Sequence, residues 1–471
     1  MSPVIWWMRR DLRLHDNQAL HAALATGQPV VPLFIMDPHY GRVFSNAKQR
    51  REFMFRSTAL LDQDLRQHGG YLVARIGVPK EVIAKLVAEL GATAVFAQEE
   101  SDPYGAERDK RVAERVPLTL VSGGTIRPLG RVQKKSGGPY TVFTPYKKMW
   151  LSHPLPRTAD LLPLPSNLRT PPDIPSQELT CKVDYAHEAG FPLGETAARA
   201  RLDTFLDKKL DGYQANRDTM GIDGTSSLSP YLKFGLISPR EAAVAALNGI
   251  ARAKTESARE GAETWLSELI WRDFYHNIQY EFPHVRERNF RADYNGIAWL
   301  NAPDEFQAWC DGRTGYPIVD AAMRQLNQTG WMHNRARMIV ASFLIKDLLI
   351  DWRWGEQYFM DRLLDGDGAA NNGGWQWAAG TGTDAAPYFR IFNPVSQSKK
   401  FDAQGEYIRR WVPELRPLNN KQIHAPWEIP PIIQKSVGVV LGQDYPRPIV
   451  DHKMARERTL AAYKAAREKA K

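Results

Sequence analysis

The sequence predicts two domains of different class: an N-terminal α/β domain with an open parallel sheet of Rossmann-like type, then an all-α domain. Three observations predict this. Apolar runs of strand length alternate with amphipathic stretches up to Val121, seven prolines crowd the segment from Leu151 to Pro175, and helical periodicity takes over from about Glu195. At 471 residues the chain is also long for a single core. The expected division is an α/β domain over 1–130, a connector over 131–194 and a helical domain over 195–471.

The elements follow in order. VIWWM, VVPLFIMD, YLVARIG, AVFAQ and PLTLVS have the length and near-continuous apolar character of strands buried on both faces. Between the second and third, KQRREFMFRSTALLDQDLRQHG has helical spacing. The first strand runs into RRDLRLHDNQAL and not into a Gly-x-Gly-x-x-Gly turn, so the pyrophosphate cradle of a nicotinamide dehydrogenase is missing where it is needed. Prolines interrupt regular structure through HPLPRTADLLPLPSNLRTPPDIP. Helical segments such as TWLSELIWRDFYHNIQYEF and NRARMIVASFLIKDLLIDW come next, and the last is the basic DHKMARERTLAAYKAAREKAK.

Composition bounds the function. Hydrophobic residues make up 43% and charged residues 24%, with no unbroken apolar run long enough to cross a bilayer. MSPVIWWMRRDLRLHD meets charges too early for a secretion signal, so the expected location is cytoplasmic. Cys181 and Cys310 lie far apart, which argues against a disulfide framework, a zinc site or a four-cysteine iron–sulfur cluster. The net charge of +9 favours a polyanionic partner such as nucleic acid.

Chemistry-bearing residues concentrate in the helical part, which holds eleven of the 14 tryptophans. In WLSELIWRDFY, Trp265, Glu268, Trp271 and Arg272 are expected along one helix face, as a wall for a flat aromatic ligand. Asn334 and Met338 stand at i and i+4, with Arg337 adjacent. Asp365 and Asp367, among glycines, can cap the following helix, pair with a buried arginine or bind metal; no further oxygen ligands stand at fixed spacing, and no metal is expected. Thr225, Ser226, Ser227 and Ser229 precede a helix and can form an anion site. In NNGGWQWAAGTGTDAAPYFRIFNP, Trp375 and Trp377 are two residues apart, about 200° around a helix axis, so they face different partners.

These segments, with VFTPYKKMW, GTSSLSPYLKFG, GRTGYPIVDAAMRQLNQTGWMHNRARMI and YPRPIVDHKMARERTLAAY in the same order, strongly resemble the photolyase/cryptochrome family. Within it the resemblance is to the bacterial class I cyclobutane pyrimidine dimer photolyases. It implies an α/β antenna domain, an all-α FAD-binding domain, and light-dependent dimer repair by electron transfer from photoexcited FADH⁻ to a flipped-out dimer. By resemblance, Tyr213 and the segment Thr225, Ser226, Ser227, Leu228 and Ser229 bind FAD phosphates, and Asp365, Gly366 and Asp367 form the flavin-side loop. Arg337 is implied to pair with Asp365 beside the ring, and Asn371 to face flavin N5.

The resemblance makes Glu268, Asn334 and Met338 dimer contacts; a carboxyl group in a largely apolar pocket can donate a hydrogen bond to a thymine carbonyl. Trp271 and Trp377 are implied to wall the flipped dimer, and Arg217, Arg272, Arg335, Arg390 and Gln397 to line the DNA rim. Trp375, Trp352 and Trp299 match the family's electron-transfer chain. The implied partner is ultraviolet-damaged DNA, single- or double-stranded, read with little sequence preference by a monomer that is nucleoid-associated through that binding.

A (6-4) photolyase is disfavoured because that subfamily needs a histidine pair where HNRARM supplies His333 followed by Asn334. A cryptochrome is disfavoured because the repair-pocket residues are kept and the chain closes on its terminal helix. Two positions depart from the pattern. Ser227 stands where some relatives have arginine. Glu107 matches a pterin-contacting glutamate, but Ala106 replaces a neighbouring asparagine, and PYGAERD also resembles deazaflavin-binding members. Methenyltetrahydrofolate is the preferred antenna chromophore, with 8-hydroxy-5-deazaflavin, a flavin or an empty site as the alternatives.

Overall fold

Five apolar runs pair as parallel strands, β1 (Val4–Met8), β2 (Val30–Met36), β3 (Val73–Ile76), β4 (Val95–Gln98) and β5 (Leu118–Val121), in the order β3-β2-β1-β4-β5. Every strand expected from the sequence is present. Val4 pairs with Val30 on one side of β1, and Ile5 with Val95 on the other, so β1 is central and wholly buried. The order reverses between β1 and β4, and open α/β sheets bind ligands beyond the carboxyl ends at such a point. The computed structural model describes residues 1–43, 46–179 and 190–470; Cys181 lies outside them.

The helices that matter for function are α1 (Lys48–Gln67), α2 (Pro103–Ala113), α3 (Phe143–Ser152), α4 (Ser229–Phe234), α5 (Glu256–Glu281), α6 (Asn334–Ser342), α7 (Trp352–Arg362), α8 (Gly368–Ala379) and α9 (His452–Lys469). Their starts follow from the sequence. Thr255, Asp351 and Asp451 accept from the backbone N–H of Ala258, Arg353 and Met454, supplying the partners that the first turns of α5, α7 and α9 lack.

The chain forms two compact units. The first comprises Met1–Gln214, Thr225–Pro283 and Leu364–Ala369; the second comprises Ala215–Gly224, His284–Leu363 and Ala370–Lys471. The helical region therefore divides, with α4 and α5 in the unit that contains the sheet. Part of the reason is Asp273 on α5, fully buried, which accepts from the backbone of Ile126 and Arg127 and from the Trp150 indole at 3.0–3.1 Å. The proline-dense stretch is also more committed than its composition implies. Leu168 bonds the backbone of His68 and Val30, Gln177 donates to the Ala74 carbonyl, and Ile174 joins the sheet's core. It thereby covers the β3 edge, which would otherwise stay open to pairing.

In the second unit, NRARMIVASFLIKDLLIDW is not one helix. After α6 come a π-helical turn over Phe343–Asp347 and a left-handed Leu349, φ 52°, before α7 begins at Trp352. The cause lies in buried polar groups whose partners are elsewhere. Lys346 donates from Nζ to the Ala379 carbonyl at 3.0 Å, Thr459 donates to the Lys346 carbonyl, and Asp347 Oδ1 lies 2.5 Å from His452 Nδ1. Satisfying these groups draws the backbone off the α-helical path. The unit's core contains Trp309, Phe343, Leu344, Trp352 and Trp375.

Candidate active site

In the first unit, α5 carries Trp265, Glu268, Trp271 and Arg272, but Trp265 does not line the same surface as the other three. Trp265 is 2% exposed and packs on Phe205 in the core, whereas Glu268 and Trp271 are half-buried. At 100° per residue, positions six apart diverge by about 120°, so the expected continuous wall of two indoles does not form. Trp271 is set by stacking on Phe143 of α3, with centroids 3.6 Å apart and planes 8° from parallel. Arg272 donates to the Gly124 carbonyl at 2.7 Å and lines a cavity inside this unit.

That cavity, about 530 Å³ including its open mouth, lies at the carboxyl ends of β1, β4 and β5 and is lined by Arg10, Glu100, Lys233, Arg272, His276 and Asp367 among others. Asp367 performs one of the expected roles, since its Oδ1 accepts from the backbone of Ala369 at the start of α8; its Oδ2 pairs at 3.3 Å with a lysine, Lys233, and not with the expected arginine. Burial alone would raise its pKa, but the cations Lys233, Arg272 and Arg10 hold the carboxyl well below the usual range. His276 is pushed down to about 3 by burial, against the pull of Asp367, and so is neutral; its Nδ1 bonds Ser101 at 2.7 Å. Among the described residues no group of three or more His, Cys, Asp or Glu is placed to hold a metal.

Tyr213 is buried, Thr225, Ser226 and Ser227 are half-buried and Ser229 is exposed. Their hydroxyls do not cap α4, whose N-cap is Leu228 without a side-chain bond; instead Thr225 and Ser227 contact each other at 3.3 Å, with Ser227 at φ 50°. Asp365 and Gly366 are buried. Glu107 is exposed on α2 and pairs with Arg111 at 2.8 Å.

In the second unit, α6 places Asn334 and Met338 one turn apart, exposed and half-buried respectively. The helix begins on His333, not on an asparagine cap: His333 Nδ1 accepts from the Arg335 backbone, and burial pushes the imidazole down to about 4, so it is neutral and structurally committed. Arg335 is held over Phe401 and paired with Asp218 at 2.7 Å; Arg217 lies 4.0 Å from the same carboxylate. Arg337 donates to the Met332 carbonyl at 2.9 Å. Arg390 is exposed and Gln397 half-buried.

Helix α8 separates its tryptophans as expected, with Trp375 2% exposed and Trp377 half-buried. Asn371 donates from Nδ2 to the Glu356 carbonyl at 3.0 Å, which leaves its Oδ1 as an acceptor. Trp375 packs on Phe359 and Trp309, and Trp352 is fully buried, while Trp299 is partly buried with its edge on Tyr463. Three supporting residues were not singled out from the sequence. Gly355 leaves room for the Trp375 ring; Gln376 ties α8 to Val285, Arg288 and Phe290; Asn289 accepts from Trp352. A glycine inside a helix was the one readable signal among them.

Comparison with known proteins identifies the architecture. The family model for the FAD-binding domain of DNA photolyase matches residues 265–465, and that for DNA photolyase matches residues 4–166. An α/β sheet followed by such a domain defines a flavoprotein of the photolyase and cryptochrome class. Relatives from Agrobacterium fabrum and Escherichia coli, both named deoxyribodipyrimidine photo-lyase, are each 43% identical, covering 99% of this chain and 98% and 100% of their own lengths. A crystal structure of a bacterial class III photolyase from Agrobacterium tumefaciens aligns with TM-score 0.93 at 41% identity, covering 99% of this chain and 98% of its own. The Synechocystis cryptochrome structure aligns at 0.89 and 31%, covering 98% and 99%. The chain belongs to the DNA photolyase family, and with it to the FAD-containing lyases of DNA repair. No helix among the described residues is long and apolar enough to cross a membrane.

Proposed function

We propose that this protein repairs cyclobutane pyrimidine dimers in DNA under blue light. The observation that carries the reading is likeness over nearly the whole length to two relatives named for that lyase activity. The sequence motifs point to class I and the aligned Agrobacterium structure is described as class III, so repair is proposed at the level both classes share.

The residues suit FAD. Asn371, with one amide N–H bonded to the Glu356 carbonyl, keeps its Oδ1 as an acceptor, which matches the N–H that N5 carries in a reduced flavin. The half-buried hydroxyls of Thr225, Ser226 and Ser227, with Tyr213, Leu228 and Ser229, suit its phosphates; Arg337, Asp365, Gly366 and Asp367 suit its ring. When bound and reduced, FAD supplies a light-driven electron to the dimer and recovers it after ring opening. Glu268, Asn334 and Met338 would orient the thymine carbonyls, and Trp271 and Trp377 would exclude water from the dimer. Arg217, Arg272, Arg335, Arg390 and Gln397 would hold DNA phosphates without reading bases. Trp375, Trp352 and Trp299 would carry electrons inward to restore the reduced state. For the antenna, we propose methenyltetrahydrofolate against Glu107.

The experiment mixes the reduced protein with ultraviolet-irradiated oligothymidine under blue light and follows thymine absorbance. Recovery is expected. Absence of recovery with the flavin still reduced would instead favour the signalling reading that the cryptochrome likeness offers.

A further inference from the structure

Trp352 is fully buried, and its indole N–H donates to Asn289 Oδ1 at 2.8 Å; Asn289 is itself 4% exposed. Removing an electron from an indole makes its N–H far more acidic and turns a neutral hydrogen bond into a charge-assisted one. Such bonds are roughly twice as strong, and burial of both partners keeps this one out of bulk solvent. The bond therefore favours oxidised Trp352 over reduced Trp352. An amide oxygen is too weak a base to take the proton, so the indole can be reduced again by an electron alone. Trp375, in contrast, packs in T-shaped pairs with Phe359 and Trp309 and turns its Cη2 and Cζ3 toward Gly355, which is one turn along α7 from Trp352.

The acceptor is held in place from α8. Gln376, next to Trp375, receives the Phe290 N–H on its Oε1 at 2.9 Å and donates from Nε2 to the Arg288 carbonyl at 3.3 Å, gripping both neighbours of Asn289. The other local charge is Arg353, 4.7 Å from the Trp352 ring, which opposes oxidation; Asp351 pairs with it at 3.1 Å and offsets that effect.

We propose that Asn289 is a redox-tuning positioning residue: its amide oxygen makes Trp352 easier to oxidise than Trp375 while leaving the proton on the indole. This rests on the electron path proposed above. Trp352 gives one electron to oxidised Trp375, which returns to a neutral indole, and Trp352 becomes a radical cation that keeps its Nε1 proton. Trp299 then gives one electron to Trp352. A thiol in solution restores Trp299, losing one electron to it and one proton to buffer.

The test uses the full, FAD-loaded chain with a thiol present, flash photolysis to follow tryptophan radicals, and resonance Raman of the indole N–H in the dark. Asn289→Leu should shift the Raman signal that Trp352→Phe removes, and lower the yield of long-lived tryptophan radical about tenfold, equivalent to about 1.4 kcal/mol. Asn289→Asp, the same size, should give the deprotonated radical spectrum, because a carboxylate takes the indole proton; it carries the test if the leucine variant does not fold. Repair by chemically reduced Asn289→Leu should match wild type. If Trp352→Phe abolishes photoreduction while Asn289→Leu stays within twofold of wild type and Asn289→Asp keeps a cation spectrum, the tuning role is wrong and the path stands. If Trp352→Phe changes nothing, the path is wrong and the tuning role falls with it.

Discussion

Gly355 sits inside α7, where glycine costs about 0.5–1 kcal/mol relative to alanine. On propensity alone Gly355→Ala should stabilise. The packing says otherwise. A Cβ on Gly355 would overlap Trp375 Cη2 and lie 2.5 Å from Cζ3 and 2.6 Å from Leu344 Cδ2, against an optimum of about 3.5–4.0 Å for carbon pairs. Neither neighbour can swing into solvent, since Trp375 is 2% and Leu344 0% exposed. Overpacking of this kind costs about 1–3 kcal/mol; with a central ~2 kcal/mol, less ~0.75 kcal/mol of propensity gain, the net loss should be about 1 kcal/mol. For the second unit, a size at which 1 kcal/mol moves the melting temperature by about 2–4 °C, the midpoint should fall by about 2–5 °C. Thermal unfolding followed by near-ultraviolet circular dichroism reads both the midpoint and the tryptophan environment. A variant that melts at or above wild type with an unchanged tryptophan spectrum would refute the reasoning.

Other outcomes follow from the same geometry. His276 and His333 are buried and neutral, at about 3 and about 4, below the ordinary value of about 6.5. Between those limits the unfolded chain binds more protons, so stability is full above about pH 6.5 and is lost as pH falls, by up to about 1.4 kcal/mol per pH unit for each histidine. Urea unfolding between about pH 4 and pH 7 should show this slope, and His276→Gln should flatten it; parallel curves would contradict the assignment. Trp375→Phe should lose photoreduction while pre-reduced protein still repairs, as read by flavin absorbance and thymine recovery in parallel. Arg335→Ala should weaken binding to irradiated DNA and reduce the slope of log affinity against log salt by about 0.9 if the guanidinium neutralises one phosphate, and an unchanged slope would place Arg335 off the DNA.

Much of the fold was legible because burial on both faces writes itself into sequence: β1 and β2 are buried, nearly unbroken apolar runs, while β5, with Thr119 and Leu120 exposed, was readable from its apolar character alone. The grouping of helices was not, because it depends on single long-range contacts such as the Asp273 carboxylate with Ile126, Arg127 and Trp150. The break before Trp352 was hidden for a similar reason, since Thr459 and His452, more than 100 residues later, supply partners for Lys346 and Asp347. At the site, Asn334 with Met338 and Trp375 with Trp377 were readable from helical spacing. Trp265 was misplaced where that spacing was stretched to six residues. Asn289 left no sequence signal, since what matters is the indole it meets in space.

The central claim is repair of the dimer itself. With flavin chemically reduced, blue light should restore the absorbance of thymine in an irradiated oligothymidine, and darkness should not. Loss of that recovery in Glu268→Ala with flavin retained would locate the chemistry where the account puts it. Restoration in the dark, or none in the light with flavin still reduced, would contradict it.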